Sequence, residues 1–125
     1  MAKKILVVDD EIEMNELICT RLEMKGFEVI SAQDGMEGLE KARNEVPDLI
    51  ILDVMMPKLN GYQVCRMLKF DDKYKSIPII FLTAKSQQYD LEVGKEVKAD
   101  AYLSKPFDGE TLLKEVNRLL SKGES

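Results

Sequence analysis

Three short runs, "ILVV" at 5–8, "LIIL" at 49–52 and "IIFL" at 79–82, are apolar without a break. A strand with one wet face alternates apolar and polar residues. An unbroken apolar run fits a strand covered on both faces, as in a parallel sheet flanked by helices. Between the runs stand longer segments whose apolar residues recur three and four apart, the spacing of helices that lay one stripe on a core. The chain therefore reads as βα repeated five times, with strands predicted at 4–8, 28–32, 48–52, 79–82 and 101–103.

The helices carry their own signals. Met14, Leu17, Ile18 and Leu22 share a helical stripe, and Gly26 is a C-terminal stop. Asp34 is the expected N-cap of a helix bearing Met36, Leu39 and Ala42, which ends before Pro47. Asn60 caps a third, with Val64, Cys65 and Leu68 inward, and Asp108 caps the last, with Leu112, Leu113, Val116, Leu119 and Leu120 as its stripe. A fourth helix is expected within 86–97. It is the weakest, because its apolar residues are few (Leu91, Val93, Val97) and Gly94 is interior. Right-handed crossovers with helices on both faces leave few strand orders. The expectation is an α/β fold, a doubly wound (βα)5 flavodoxin-like parallel sheet of order 2-1-3-4-5. No linker or repeat interrupts the 125 residues, so one domain over 1–125 is expected, its core at about 4–120.

Composition removes several function classes. There is no histidine, so Ser/His/Asp and Cys/His catalysis and His-ligated metals are excluded within this chain. The formal net charge of −5 argues against direct nucleic-acid binding, which needs clustered Lys and Arg. Cys19 and Cys65 form neither a CxxC pair nor a disulfide framework and read as reduced thiols on helices. The start "MAKKILVVDDE" is neither a signal peptide nor a membrane span, so a cytoplasmic location is expected.

In doubly wound sheets the chemistry stands just past the carboxyl ends of the strands, near the switch between strands 1 and 3. There the sequence places Asp9, Asp10 and Glu11 after strand 1, Asp53 after strand 3, Thr83 and Ala84 after strand 4, and Ser104, Lys105 and Pro106 after strand 5. Singly, each has an ordinary explanation: "DD" is a common turn signal, Lys-Pro a common loop, and Thr a common polar cap. Together they gather at one rim. Two carboxylates about 4 Å apart repel by about 4 kcal/mol at an effective dielectric near 20, so Asp9, Asp10 and Asp53 call for a cation. An all-oxygen set suits Mg²⁺, with Mn²⁺ as the second option. Lys105 and Thr83 add donors for a dianion such as a phosphoryl group, and a carboxylate such as Asp53 can serve as its acceptor. Ala84 is small and leaves the approach open.

The stretches "ILVVDDE", "DLIILDVMMPKLNGYQVC", "IPIIFLTAK" and "ADAYLSKPFDGETLL" closely resemble the receiver domain of two-component response regulators, across almost the whole chain. The resemblance implies a phosphorylation-activated switch. In it Asp53 is the phosphoacceptor; Asp10, with Asp9 assisting, binds Mg²⁺ together with Asp53 and the backbone carbonyl of Met55. Lys105 pairs with the phosphoryl group and Thr83 hydrogen-bonds it. Tyr102 is the switch aromatic, and Lys105–Pro106 is expected to be cis. Met55 and Lys85 occupy positions that tune phosphoryl lifetime. An apolar Met55 cannot orient an attacking water, which implies slow self-dephosphorylation. The implied partners are a sensor histidine kinase or histidine phosphotransfer protein and a downstream protein target or C-terminal output domain. The responsive surface is the fourth helix, fifth strand and last helix, and that surface is also the expected site of a phosphorylation-dependent dimer. Two positions depart from the family pattern: Lys98 where glycine is common, and Ala101 where an acid is common.

Two other classes compete. A Mg²⁺-dependent phosphohydrolase needs a second acid close to Asp53, and the sequence there reads "DVM". A flavin carrier needs a Ser/Thr/Gly-rich phosphate loop after strand 1, where this chain has "DDE". A scaffolding role would not require all five site positions. The sequence leaves open whether the chain works alone or as the receiver of a longer regulator.

Overall fold

The computed structural model describes residues 2–56, 59–84 and 99–122. The helix expected within 86–97, together with Lys85 and Lys98, lies outside the described residues. The order of elements is β1 Lys4–Val8, α1 Ile12–Met24, β2 Glu28–Ala32, α2 Gly35–Glu45, β3 Leu49–Asp53, α3 Gly61–Lys69, β4 Ile79–Ala84, β5 Ala101–Lys105 and α4 Gly109–Lys122. All strand pairs are parallel and the sheet order is β2-β1-β3-β4-β5, as the sequence predicts.

Alternation along the strands splits the core into two layers. Leu6, Val8, Ile50, Leu52 and Phe81 face α2 and α3 and pack with Leu39, Ala42, Val64, Cys65 and Leu68. Ile5, Val7, Leu49, Ile51, Ile80 and Leu82 face the other way and pack with Ile18, Leu22, Leu112, Val116 and Leu119. Each fully buried side chain of this kind contributes about 1.5–3 kcal/mol, so both faces of the apolar runs are accounted for. Leu17 and Met36 lie on predicted stripes but stand exposed at the edges of their helices. Each stripe is narrower than its apolar residues suggest.

The expected caps are in place. Asp34, Asn60 and Asp108 accept the backbone N–H of Glu37 (2.8 Å), Gln63 (2.9 Å) and Thr111 (2.7 Å). Gln63 returns a bond to the Asn60 N–H, completing a capping box. Gly26, at φ 90°, ends α1: its N–H donates to the Glu23 carbonyl and that of Phe27 to the Leu22 carbonyl. This is the glycine-closed helix end of the Schellman type. Strands 3, 4 and 5 run further than predicted, to Asp53, Ala84 and Lys105. Parallel pairing thus continues through the residues that carry the chemistry, and the ladder holds their backbones in register.

Candidate acidic site at the carboxyl rim of the sheet

Register and alternation decide which side chains meet. Val8 pairs with Leu52, so the next residues, Asp9 and Asp53, stand side by side on neighbouring strands. Ile5 and Val7, Leu49 and Ile51, and Ala101 and Leu103 all enter the α1/α4 layer. Continuing that period of two puts Asp9, Asp53 and Lys105 on the same side. Thr83 follows the opposite parity, that of Ile79 and Phe81, and so does Tyr102.

One carboxylate oxygen from each of Asp9, Asp10 and Asp53 lies within 4.8 Å of the others. Asp9 has no exposed surface, Asp53 is 6% exposed and Asp10 is exposed. The Lys105 ammonium reaches Asp9 Oδ2 at 3.0 Å, Glu11 Oε1 at 3.3 Å and Asp53 Oδ2 at 3.7 Å. Asp9 Oδ1 also accepts the Glu11 N–H at 2.9 Å. Burial, then the Asp9 charge, then Asp10, push the Asp53 carboxyl up to about 7 despite the opposing pull of Lys105. Burial draws Lys105 down, but Asp53, Asp9 and Glu11 outweigh it and hold the ammonium above its usual value.

Thr83 is buried at the end of β4, next to Ser104 in register. Tyr102 is half-buried, with its ring 5.9 Å from Phe81, which also makes a T-shaped contact with Tyr62 at 5.1 Å. Met55 follows β3 by two residues with its side chain exposed. The Lys105–Pro106 peptide is cis. Gly61 opens α3 where an added Cβ would lie 2.5 Å from the Asp53 carbonyl oxygen. Only glycine lets that helix start so close to the site. Burial raises both thiols, Cys19 to about 11 and Cys65 to about 12, and neither is in a disulfide.

One contributor and one contact escaped the sequence reading. Asn15, buried on α1, donates to the backbone carbonyls of Asp9 (3.1 Å) and Ala32 (2.9 Å), and so anchors α1 to the rim beside Asp9. Its signal was a polar residue on the same stripe as Ile18 and Leu22. Glu11 read as one more acid of a run, and only the fold brings Lys105 to it.

The sequence profile of the response regulator receiver domain matches residues 5–117. The chain belongs to the response regulator receiver domain family. It is 46% identical over 124 residues to the alkaline phosphatase synthesis transcriptional regulatory protein PhoP of Bacillus subtilis, covering 99% of this chain and 51% of that protein. The chain thus spans about half the length of the curated relatives it matches. The chemotaxis response regulator CheY4 of Vibrio cholerae superposes with a TM-score of 0.89 at 38% identity, over 95% of this chain and 99% of the other. The receiver domain of the sensor histidine kinase PA1611 from Pseudomonas aeruginosa, which holds a magnesium ion in its active-site cleft, superposes with a TM-score of 0.89 at 29% identity, over 97% and 99% of the two chains. No helix among the described residues is long and apolar enough to cross a membrane.

The donor set of this receiver fits a hard divalent ion. Three carboxylates converge with one ammonium between them, an excess of negative charge with oxygen donors only. A pH dependence follows. The ordinary value of Asp53 is 3.8 and the folded value is about 7. Without a divalent ion the folded state keeps a proton that the unfolded chain releases. Stability therefore falls as pH rises from about 4 to about 7 through this group. A cation among the carboxylates favours the ionised form and cancels the loss. Mg²⁺ is expected to raise the urea midpoint more at about pH 8 than at about pH 5, relative to EDTA. An equal increment at both would remove Asp53 as the linked group.

Proposed function

We propose that this receiver is a phosphorylation-driven signalling switch in which Asp53 accepts a phosphoryl group from a sensor histidine kinase or a histidine phosphotransfer protein. The observation that carries the reading is the meeting of Asp53 with Asp9, Asp10 and Lys105 at one rim, from three segments distant in sequence. Asp9, Asp10, Asp53 and the Met55 carbonyl are the groups that would hold Mg²⁺; Mn²⁺ suits the same donors. When bound, the ion neutralises charge on the carboxylates and on the phosphoryl oxygens. The chain's own residues do the rest. Asp53 presents an oxygen to phosphorus, and the bond to the donor's nitrogen breaks as the new P–O bond forms. Lys105 pairs with an equatorial oxygen, and the Thr83 hydroxyl donates to another.

Tyr102 is the side chain we assign to the conformational response, since it shares the Thr83 side of the sheet and packs on Phe81 in the same layer. Met55 and Lys85 are assigned to phosphoryl lifetime. The responding face serves a downstream protein or an output domain, with a phosphorylation-dependent dimer as one form. The net charge of −5 directs this domain toward protein partners rather than nucleic acid. The role is that of a switch that assists its own modification and its reversal, not of a turnover enzyme.

The test uses acetyl phosphate as donor. With Mg²⁺ the protein is expected to gain one phosphoryl group, mapped to Asp53 by borohydride reduction and peptide mass, and with EDTA none. A phosphoryl group found on another residue would overturn the assignment.

A further inference from the structure

This inference rests on the phosphoacceptor reading above. An ammonium has three N–H donors, and that of Lys105 faces three carboxylates: Asp9 at 3.0 Å, Glu11 at 3.3 Å and Asp53 at 3.7 Å. A phosphoryl group on Asp53 draws on the same ammonium and competes for it with Asp9 and Glu11, its two hydrogen-bonded partners, of which one can yield. Asp9 is poorly suited to do so. It is wholly buried, its other oxygen already holds the Glu11 N–H, and stripping a buried carboxylate of its counter-charge is costly. Asp53 is the acceptor itself. The Glu11 side chain is 63% exposed, and water can replace Lys105 there at little cost.

The position of Glu11 in the chain supports the same choice. It is the N-cap residue of α1, in extended conformation, yet its side chain makes no cap hydrogen bond. Its carboxylate instead crosses to a residue 94 positions away. Its backbone is pinned by the bond to Asp9 Oδ1, so the side chain starts from a fixed point beside the site.

We propose that Glu11 is a positioning residue that holds Lys105 toward β1 and competes with the phosphoryl group for its ammonium, and so sets how readily the site is charged. Its carboxylate also repels an anionic donor on approach. Because the Glu11 side chain caps nothing, Glu11→Gln removes the competition and leaves the start of α1 as it was.

The test compares wild type with E11Q at saturating Mg²⁺, by the rate of labelling with acetyl phosphate and by equilibrium affinity for beryllofluoride, a phosphoryl mimic. Both are expected to rise about 1.5- to 5-fold in E11Q, the size of an exposed ion pair. Both gains are expected to shrink toward unity in about 1 M salt, where charges are screened beyond about 3 Å. A purely structural role for Glu11 would not give that salt dependence. Wild type labelled at Asp53 with E11Q equal to it or slower, or a gain that persists in high salt, would overturn this inference alone. Wild type unlabelled and blind to beryllofluoride would overturn the phosphoacceptor reading as well.

Discussion

Asp53→Asn is expected to abolish phosphoryl uptake from acetyl phosphate while making the metal-free protein more stable at neutral pH. The amide has the shape of the carboxylate but no nucleophilic anionic oxygen, so labelling should drop below detection. The gain in stability comes from the balance of charges at the rim. Lys105 lies 3.7 Å from Asp53 and favours its ionised form, but burial and the Asp9 and Asp10 charges prevail, since the carboxyl is pushed up to about 7. A neutral isostere removes the repulsion and frees Lys105 for Asp9 and Glu11. The expected increment is about 1–3 kcal/mol near pH 7 in EDTA, from urea midpoints. It should vanish near pH 4, where Asp53 is already neutral. Labelling that persists would move the acceptor elsewhere. A loss of stability at neutral pH would mean that the pairing with Lys105 outweighs the repulsion from Asp9.

Particular residues show what sequence patterns do and do not carry. The unbroken runs "ILVV", "LIIL" and "IIFL" sufficed for the parallel sheet, because only strands buried on both faces dispense with polar residues. With the sheet order in hand, the rim positions of Asp9, Asp53 and Lys105 followed from simple alternation. The ends of strands 3, 4 and 5 did not. Asp53, Thr83 and Lys105 look like loop residues, and only the ladder of neighbouring strands reveals that pairing continues through them. Partner choice was also illegible. Nothing local pairs Glu11, the N-cap residue of α1, with Lys105 rather than Glu13 or Glu16 of the helix itself. Lys69, in the last turn of α3, is only 8% exposed and finds Asp100 across 31 residues. Such pairs depend on three-dimensional closure, which no periodicity records.

That pair is the basis of the largest stability effect expected in this receiver. Lys69 donates to Asp100 Oδ2 at 2.7 Å, to the Ile77 carbonyl at 2.8 Å and to the Lys75 carbonyl at 3.3 Å. The same Asp100 oxygen accepts the N–H of Ile79, the first residue of β4, at 2.8 Å. Asp100→Ala thus leaves a buried ammonium without its counter-charge and a strand N–H without its acceptor. The Asp100 side chain is 34% exposed, so water offsets part of the loss, and the cost is expected at about 2–4 kcal/mol by urea unfolding. Asp100→Asn keeps an oxygen for Ile79 and should cost about half as much. Lys69→Met should also cost less than Asp100→Ala, because it buries no orphan charge and leaves a carboxylate that water can reach. An Asp100→Ala penalty at or below that of Lys69→Met would show that the ammonium is adequately held by the two carbonyls alone. The pair stands at the start of β4 and β5, and Thr83 and Lys105 stand at their far ends. Phosphoryl uptake per folded molecule is therefore expected to survive Asp100→Ala. Loss of uptake in protein shown to be folded would mean that the start of these strands sets the position of the chemistry at their ends.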